Sequence, residues 1–256
     1  MRREKFIIAF LTSVFLFAST AAKADESFSL KGGLISLKPS GKFGVSAGSM
    51  GGSRMDVDNT LGFGRDNAGT LEAAFQYGDL RLEASYLPLR FNGSKPLGSS
   101  ITFNGQNFSA GHQVESYLDA DILDLGLSYY FLNFDDLPAR VQLGVEAEVK
   151  TIRAEVGMKD PLLGVSENDS AILPIPTVGL RGRVALADFL GLVCRAGGLA
   201  YSGNHFIDAE TQMEFSPIPS MGVYGGYRYI KLKVDHSNVF VDTSFSGPVA
   251  GLFVRF

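Results

Sequence analysis

Tryptophan is absent from the 256 residues, cysteine occurs once and histidine three times. The single thiol, Cys194, permits no internal disulfide and no cysteine-based metal cluster. A basic excess is also missing. Lys and Arg number 23 against 27 Asp and Glu, a net charge of −4, so the electrostatic footprint of a nucleic-acid binder is lacking. No phosphate loop, zinc spacing or dinucleotide fingerprint occurs, and no cofactor is expected. Beyond residue 24 no apolar run approaches the roughly 18 residues a membrane helix needs. Residence in a membrane would therefore require a closed β-barrel, the other structure that satisfies every backbone polar group internally.

The first residues carry an address. Arg2, Arg3 and Lys5 precede an apolar run from Phe6 to Ala18, and Ala22-Lys23-Ala24 offers an A-x-A cleavage site. This is the layout of a secretory signal peptide over 1–24, with the mature chain expected to begin at Asp25. Its removal takes away Arg2, Arg3, Lys5 and Lys23 against Glu4 alone and moves the net charge from −4 to −7.

What is abundant is alternation. From Arg140 to Lys150, Val141, Leu143, Val145, Ala147 and Val149 take one face, and Gln142, Glu146, Glu148 and Lys150 the other. Period two is the mark of a strand with two unlike faces. After Thr151 the apolar set shifts by one residue to Ile152, Ala154 and Val156, and a similar slip separates Leu118, Ala120 and Ile122 from Leu123, Leu125 and Leu127. Each slip reads as a β-bulge. Continued along the chain, the pattern predicts ten strands, with eight or twelve as the alternatives. They fall at about 42–56, 68–77, 80–92, 113–132, 139–158, 171–186, 190–202, 205–216, 221–235 and 240–256. Short turns on one side alternate with mostly longer polar loops on the other, as in outer-membrane barrels, and an even count returns both termini to the short-turn, periplasmic side. The expected fold class is all-β: an antiparallel, up-and-down transmembrane β-barrel over 42–256, with 25–41 as a leader or periplasmic segment whose Leu34, Ile35 and Leu37 could instead extend the first strand.

The polar face is dense with charge, twelve basic residues including Arg90, Arg153, Lys231 and Lys233, and eleven acids including Asp119, Asp121 and Glu155. Aromatic residues (Tyr77, Tyr86, Phe91, Tyr117, Tyr129, Phe215) lie toward strand ends, as girdles would. Cys194 falls on the apolar face, where it reads as a small lipid-facing residue. The chain ends Leu252-Phe253-Val254-Arg255-Phe256. A final aromatic preceded by alternating Val254 and Leu252 resembles the C-terminal assembly signal of small bacterial outer-membrane β-barrel proteins, and the whole mature chain resembles that broad class. Gly226-Tyr227-Arg228-Tyr229 and Phe245-Ser246-Gly247-Pro248 are similar to segments of its uncharacterised members. The resemblance implies an integral, porin-like protein of the Gram-negative cell envelope whose partners are outer-membrane lipid and, during insertion, the barrel-assembly machinery. It implies no activity. A monomer is expected.

Catalytic residues are not expected. The weak candidates are Asp235, His236 and Ser237, at a strand–loop junction, but neighbouring strand residues face opposite ways. Ten strands is also the count of the omptin proteases, whose Asp-x-His and paired-Asp motifs are not evident. With the charged side chains pointing inward, the lumen should be largely filled, and a structural or surface-interaction role is favoured over a small-solute channel or an outer-membrane hydrolase. One register is specific: with Met158 opposite Ala171, Glu146 would face Arg183 and Glu148 would face Arg181, as luminal charge pairs, or would pair diagonally if the bulge near Thr151 shifts the register.

Overall fold

Ten long antiparallel strands close into a barrel in the computed structural model, which describes residues 28–45, 53–134, 140–236 and 239–256. In chain order the strands are β1 (Phe28–Val45), β2 (Met55–Asp56), β3 (Asp66–Tyr77), β4 (Leu80–Pro96), β5 (Ile101–Phe103), β6 (Gln106–Phe108), β7 (Gln113–Phe134), β8 (Val141–Asp160), β9 (Val165–Ala187), β10 (Leu190–Tyr201), β11 (Asn204–Ile218), β12 (Met221–His236) and β13 (Val239–Arg255). Each long strand pairs with the next, and β13 pairs with β1 from Ser29↔Arg255 to Val45↔Val239, closing the wall. The pair β5–β6 is a separate hairpin, and β2 is a two-residue addition to β1. The hairpin turns on Asn104-Gly105, both at positive φ, the residue pair that best fits a tight two-residue turn.

The first strand lies earlier than the alternation suggested. Residues 28–41, open between a leader, a periplasmic segment and an extension of the first strand, form most of β1, whereas of the expected strand 42–56 only 42–45 belong to it. Gly32, Gly33, Pro39 and Gly41 dilute the periodicity there, but closure demands a partner for β13 and only this segment supplies one. The expected signal peptide, 1–24, lies outside the described residues.

Two further expectations are corrected by the ladder. No bulge interrupts β8 near Thr151: pairing with β7 is continuous from Leu125↔Val149 through Leu123↔Thr151 to Ala120↔Ala154, and the irregularity falls instead at Tyr130/Leu132. The expected loop 159–170 is mostly strand as well. Asp160 stands opposite Val165, and residues 161–164 make the turn. The Asp160 carboxylate accepts hydrogen bonds from the Leu162 and Leu163 amides at 2.9 and 3.2 Å, and Gly164 takes φ +66°. This turn places Glu146 opposite Gly179 and Glu148 opposite Thr177. The anticipated direct pairs Glu146–Arg183 and Glu148–Arg181 are therefore not formed.

Since β7 and β8 keep an unbroken phase from Glu115 to Tyr130, the slips in their sequences have another cause: the chemistry of the two faces exchanges partway up the barrel. On β7, Leu123, Leu125, Leu127, Tyr129 and Phe131 point outward and are exposed, while Asp124 and Ser128 are buried inside. Above Leu123 the order is reversed, with Val114, Ala120 and Ile122 inside and Asp119 and Asp121 outside. The same exchange occurs on β8 between Lys150 and Ile152, on β4 between Ser85 and Leu87, and on β12 between Arg228 and Ile230. A lipid-facing lower storey thus carries an upper storey built like a water-soluble barrel, apolar inside and charged outside. From Leu123 to Phe131 the outer apolar band runs roughly 26 Å along the strand at about 3.3 Å per residue. At a tilt of about 40° that covers about 20 Å of membrane normal, with Phe134 exposed below it. Phe91, expected in a girdle, is buried inside the upper storey, and Tyr117 lies above the band, bonded to Glu155 at 2.8 Å.

Candidate functional site

The bore is the feature any function has to reckon with, and both storeys fill it. The lower storey brings eight cations (Lys31, Arg81, Lys150, Arg181, Arg183, Arg195, Arg228, Arg255) together with eight carboxylates (Glu72, Glu83, Asp124, Glu146, Glu148, Asp208, Glu210, Glu214) in one network. Lys150, 1% exposed, stands at its centre, 2.7 Å from Glu148, 2.9 Å from Asp208 and 3.0 Å from Asp124. Arg228 grips both oxygens of Asp208 at 2.7 and 3.0 Å. Arg195 reaches Glu210 at 2.8 Å and Glu148 at 3.4 Å, and Arg81 lies 3.1 Å from Glu83. Charges taken out of water in this way are tolerable because each carboxylate has a cation in contact. One atom departs from the pattern: Asp124 Oδ1 is buried without a hydrogen-bond partner.

Of the four residues expected as luminal pairs, Glu146, Glu148 and Arg181 are buried inside. Arg181 reaches Glu146 diagonally at 3.2 Å and Glu83 at 3.0 Å. Glu148 turns to Lys150 and Arg195, and Arg183 lies 3.6 Å from Glu214. The sign, the face and the diagonal Arg181–Glu146 contact are legible in the sequence; the directly opposed partners are not. Arg90, Arg153, Lys231, Lys233, Asp119, Asp121 and Glu155, assigned to the same polar face, lie on the outer wall of the upper storey. Lys31 adds a cation from a segment where glycine and proline leave no alternation to mark an inward face.

The upper storey is filled by carbon. Ile35, Leu37, Leu87, Leu89, Phe91, Ile122, Ile152 and Phe206 project from the wall, and Met55, Val57, Leu61 and Phe63 descend from the segment after β2. Leu97, Ile101, Phe103 and Phe108 of the β5–β6 region close the mouth above them. Phe91 stacks on Phe245 at 5.4 Å, and Phe43 meets Phe103 at 6.0 Å. Ser53 and Thr102 exchange hydrogen bonds of 3.0 Å across the two covering segments. Between the storeys a void of about 20 Å³ touches Ile35, Ser85, Tyr224 and Arg228, room for about one water.

The catalytic candidates do not assemble. Asp235 is exposed on the outer wall, 3.8 Å from Arg54. Ser237 and the His236 side chain lie outside what the structure describes. The histidine with a carboxylate in contact is His112, whose Nδ1 lies 2.7 Å from Asp160 Oδ2. Burial opposes ionisation of Asp160, but hydrogen bonds from His112 and from the Leu163 and Leu162 amides hold its carboxyl below the usual carboxylate range. Among the described residues no hydroxyl is bonded to His112, so the pair acts as a clasp between the β8–β9 turn and the segment before β7. No sequence spacing signals it, because the partners are 48 residues apart. Among the described residues, no cluster of His, Cys, Asp and Glu is arranged to hold a metal.

Phe256 closes the seam. It exchanges backbone hydrogen bonds with Phe28 at 2.9 and 3.2 Å, the two rings are 6.2 Å apart, and it is 51% exposed on the outer face with Leu252 above it.

No protein-family model and no curated protein sequence matches the chain. Among solved structures, the outer membrane protease OmpT from Escherichia coli superposes with a TM-score of 0.53 at 12% identity, over 93% of this chain and 99% of that one. Neisserial surface protein A (NspA) gives 0.39 at 14%, over 91% and 98%. Ail, the attachment invasion locus protein of Yersinia pestis, gives 0.36 at 11%, over 90% and 99%. At such identity the likeness to OmpT is one of fold alone. With its outward apolar band, closed antiparallel wall and ten long strands, the protein has the fold of a small bacterial outer-membrane β-barrel.

Proposed function

We propose that the protein is a closed, non-enzymatic outer-membrane barrel that carries a rigid structural or surface-interaction element above the membrane. One observation carries this reading: the bore is filled twice, by paired charge below and by packed apolar side chains above. A channel needs a continuous wet path, and a void of about 20 Å³ holds about one water. Phe28 and Phe256 share an end of the barrel with the short turns 78–79, 188–189 and 219–220, which favours a periplasmic location for that end. The upper storey, with its mouth-closing segments and charged outer wall, would then face the outside.

The test is planar-bilayer recording of the refolded protein, beside a screen for peptide and lipid A hydrolysis. The expected result is a flat baseline and no turnover. Steady unitary conductance, or turnover lost on changing Asp235 or His236, would overturn the reading.

Assembly gives a second expected outcome. The Phe256 contacts to Phe28 join the two ends of the wall, which supports Phe256, Val254 and Leu252 as the assembly signal. Deleting Phe256 should sharply lower the yield of heat-modifiable protein in outer-membrane fractions while signal-peptide cleavage continues. An unchanged yield would remove Phe256 from that role.

A further inference from the structure

The lipid-facing wall is not uniformly convex. On β9, β10 and β11 the outward positions Gly182, Cys194, Ala196, Ala209 and Thr211 are small, and together they floor a groove of about 480 Å³. Leu143 and Leu180 form one bank, Tyr227 and Tyr229 the other. The floor residues are neighbours in the ladder: Cys194 stands opposite both Gly182 and Thr211, and Ala196 opposite both Leu180 and Ala209. With the banks they make two adjacent rungs, Leu143–Gly182–Cys194–Thr211–Tyr227 and Leu180–Ala196–Ala209–Tyr229, so the groove lies within the apolar band, its floor three strands wide, and has room for part of a chain.

Its upper end meets charge. Directly above the Tyr227–Tyr229 bank on the same face of β12 come Lys231 and Lys233, opposite Ile207 and His205 of β11 and Ser244 and Asp242 of β13. Asp242 lies 3.5 Å from Lys231. Among the described residues no carboxylate is within ion-pair distance of Lys233. Both lysines are partly exposed, at the level where outward apolar residues give way to polar ones. Asp235, two residues beyond Lys233 on the same face, lies 3.8 Å from Arg54. On the β4–β7–β8 wall acids outnumber bases: Arg90 and Arg153 accompany Asp119, Asp121 and Glu155, and Arg90 is held by Asp121 at 2.7 Å.

We infer that this wall is a binding site for a phosphorylated membrane lipid, its phosphate on Lys231 and Lys233 and part of one acyl chain in the groove. Lipid fills a groove of this kind wherever it faces the bilayer; the lysines supply headgroup selection, since a basic residue at a membrane surface favours anionic lipid. Ser244 adds a hydroxyl donor beside Lys231. The phosphate displaces Asp242 from Lys231 and leaves the strand pairing untouched. The inference rests on the membrane-facing band and is independent of whether the bore conducts.

The test uses the full-length refolded protein in phosphatidylcholine vesicles containing a small fraction of phosphatidic acid, extracted mildly and weighed by native mass spectrometry. Wild type should retain phosphatidic acid over phosphatidylcholine by about tenfold or more, as two lysines near one anionic headgroup imply. Lys231→Gln with Lys233→Gln should bring the ratio close to parity, and Ala209→Trp, which fills the floor, should lower total retention. Arg153→Gln, above the membrane edge on β8 and four strands from the lysines, should change neither. Equal retention of the two lipids by wild type overturns the site. So does full displacement by inorganic phosphate with no effect of Ala209→Trp, which would make it a site for free phosphate. Efficient Cys194–Cys194 crosslinking in the vesicles would assign the groove to a second copy of the chain instead.

Discussion

Lys150→Met should destabilise the barrel by about 3–5 kcal/mol, the cost expected when one member of a buried ionic cluster is removed and its partners remain. Methionine keeps the length and the carbon stem of the side chain, so the loss isolates the charge. What remains is Asp124, Glu148 and Asp208, all within 3.0 Å of the vanished ammonium and shared among Arg228 and Arg195, which already hold Asp208 and Glu210. Asp124 is the exposed point of this arrangement in energetic terms, because its Oδ1 already lacks a partner. Adding Asp124→Asn to Lys150→Met should therefore recover part of the loss, and the double-mutant cycle should show strong coupling. Lys159→Met, on the outer wall at the rim, should stay within about 0.5 kcal/mol. The measurement is equilibrium urea unfolding in lipid vesicles followed by far-ultraviolet circular dichroism, since the chain has no tryptophan. A Lys150→Met loss below about 1 kcal/mol would mean that the lower storey is hydrated and that its ion pairs behave like surface pairs.

The same network shows how far sequence reasoning reaches in this fold. Strand number, the antiparallel meander and the inward direction of Glu146, Glu148 and Arg181 follow from period-two patterning, because a strand's faces are fixed by parity alone. Register does not follow. It depends on which four residues make the β8–β9 turn, and the Asp160 carboxylate that captures the Leu162 and Leu163 amides closes that turn at 161–164. The strands gain the residues that a polar composition had assigned to a loop. Lys31 and the first strand were obscured for a different reason: glycine and proline serve a crowded seam, and they erase alternation while doing so. Gly33 and Gly251 flank the Tyr224 ring so tightly that a Cβ at either would collide with it.

The two-storey character was present in the sequence but was given the wrong cause. A phase slip can arise from an inserted residue or from a change of solvent on the two sides of an uninterrupted strand. A bulge is a local event of one strand, whereas a change of solvent must strike neighbouring strands at one level. The slips at Thr151 on β8 and Leu123 on β7 stand directly opposite each other. That coincidence, invisible without register, identifies the upper edge of the membrane. It also explains why the charges of the polar face, Arg140 at the short-turn rim apart, resolve into a luminal set and an outer-wall set above the lipid.

Leu127→Arg should cost about 2–4 kcal/mol, the penalty for a cation on the lipid face near the bilayer midplane, while Arg153→Leu should change stability by no more than about 0.5 kcal/mol. Leu127 is outward and exposed in the middle of the apolar band, with Ala147 opposite it on β8. Arg153 is on the outward face of β8 as well, opposite Asp121, but above the exchange of faces, where leucine merely replaces one solvated side chain by another. The comparison separates the two explanations of the phase slip. If an extra residue near Thr151 turned Arg153 into the lumen, Arg153→Leu would strip a cation from a buried network and cost several kcal/mol. If the outer band continued upward past Thr151, the same substitution would raise stability by removing a charge from lipid. Urea unfolding of the two variants in vesicles, measured beside wild type, distinguishes the three cases by sign and size. A near-neutral Arg153→Leu together with a severe Leu127→Arg is the outcome that a membrane edge between Leu123 and Asp121 requires.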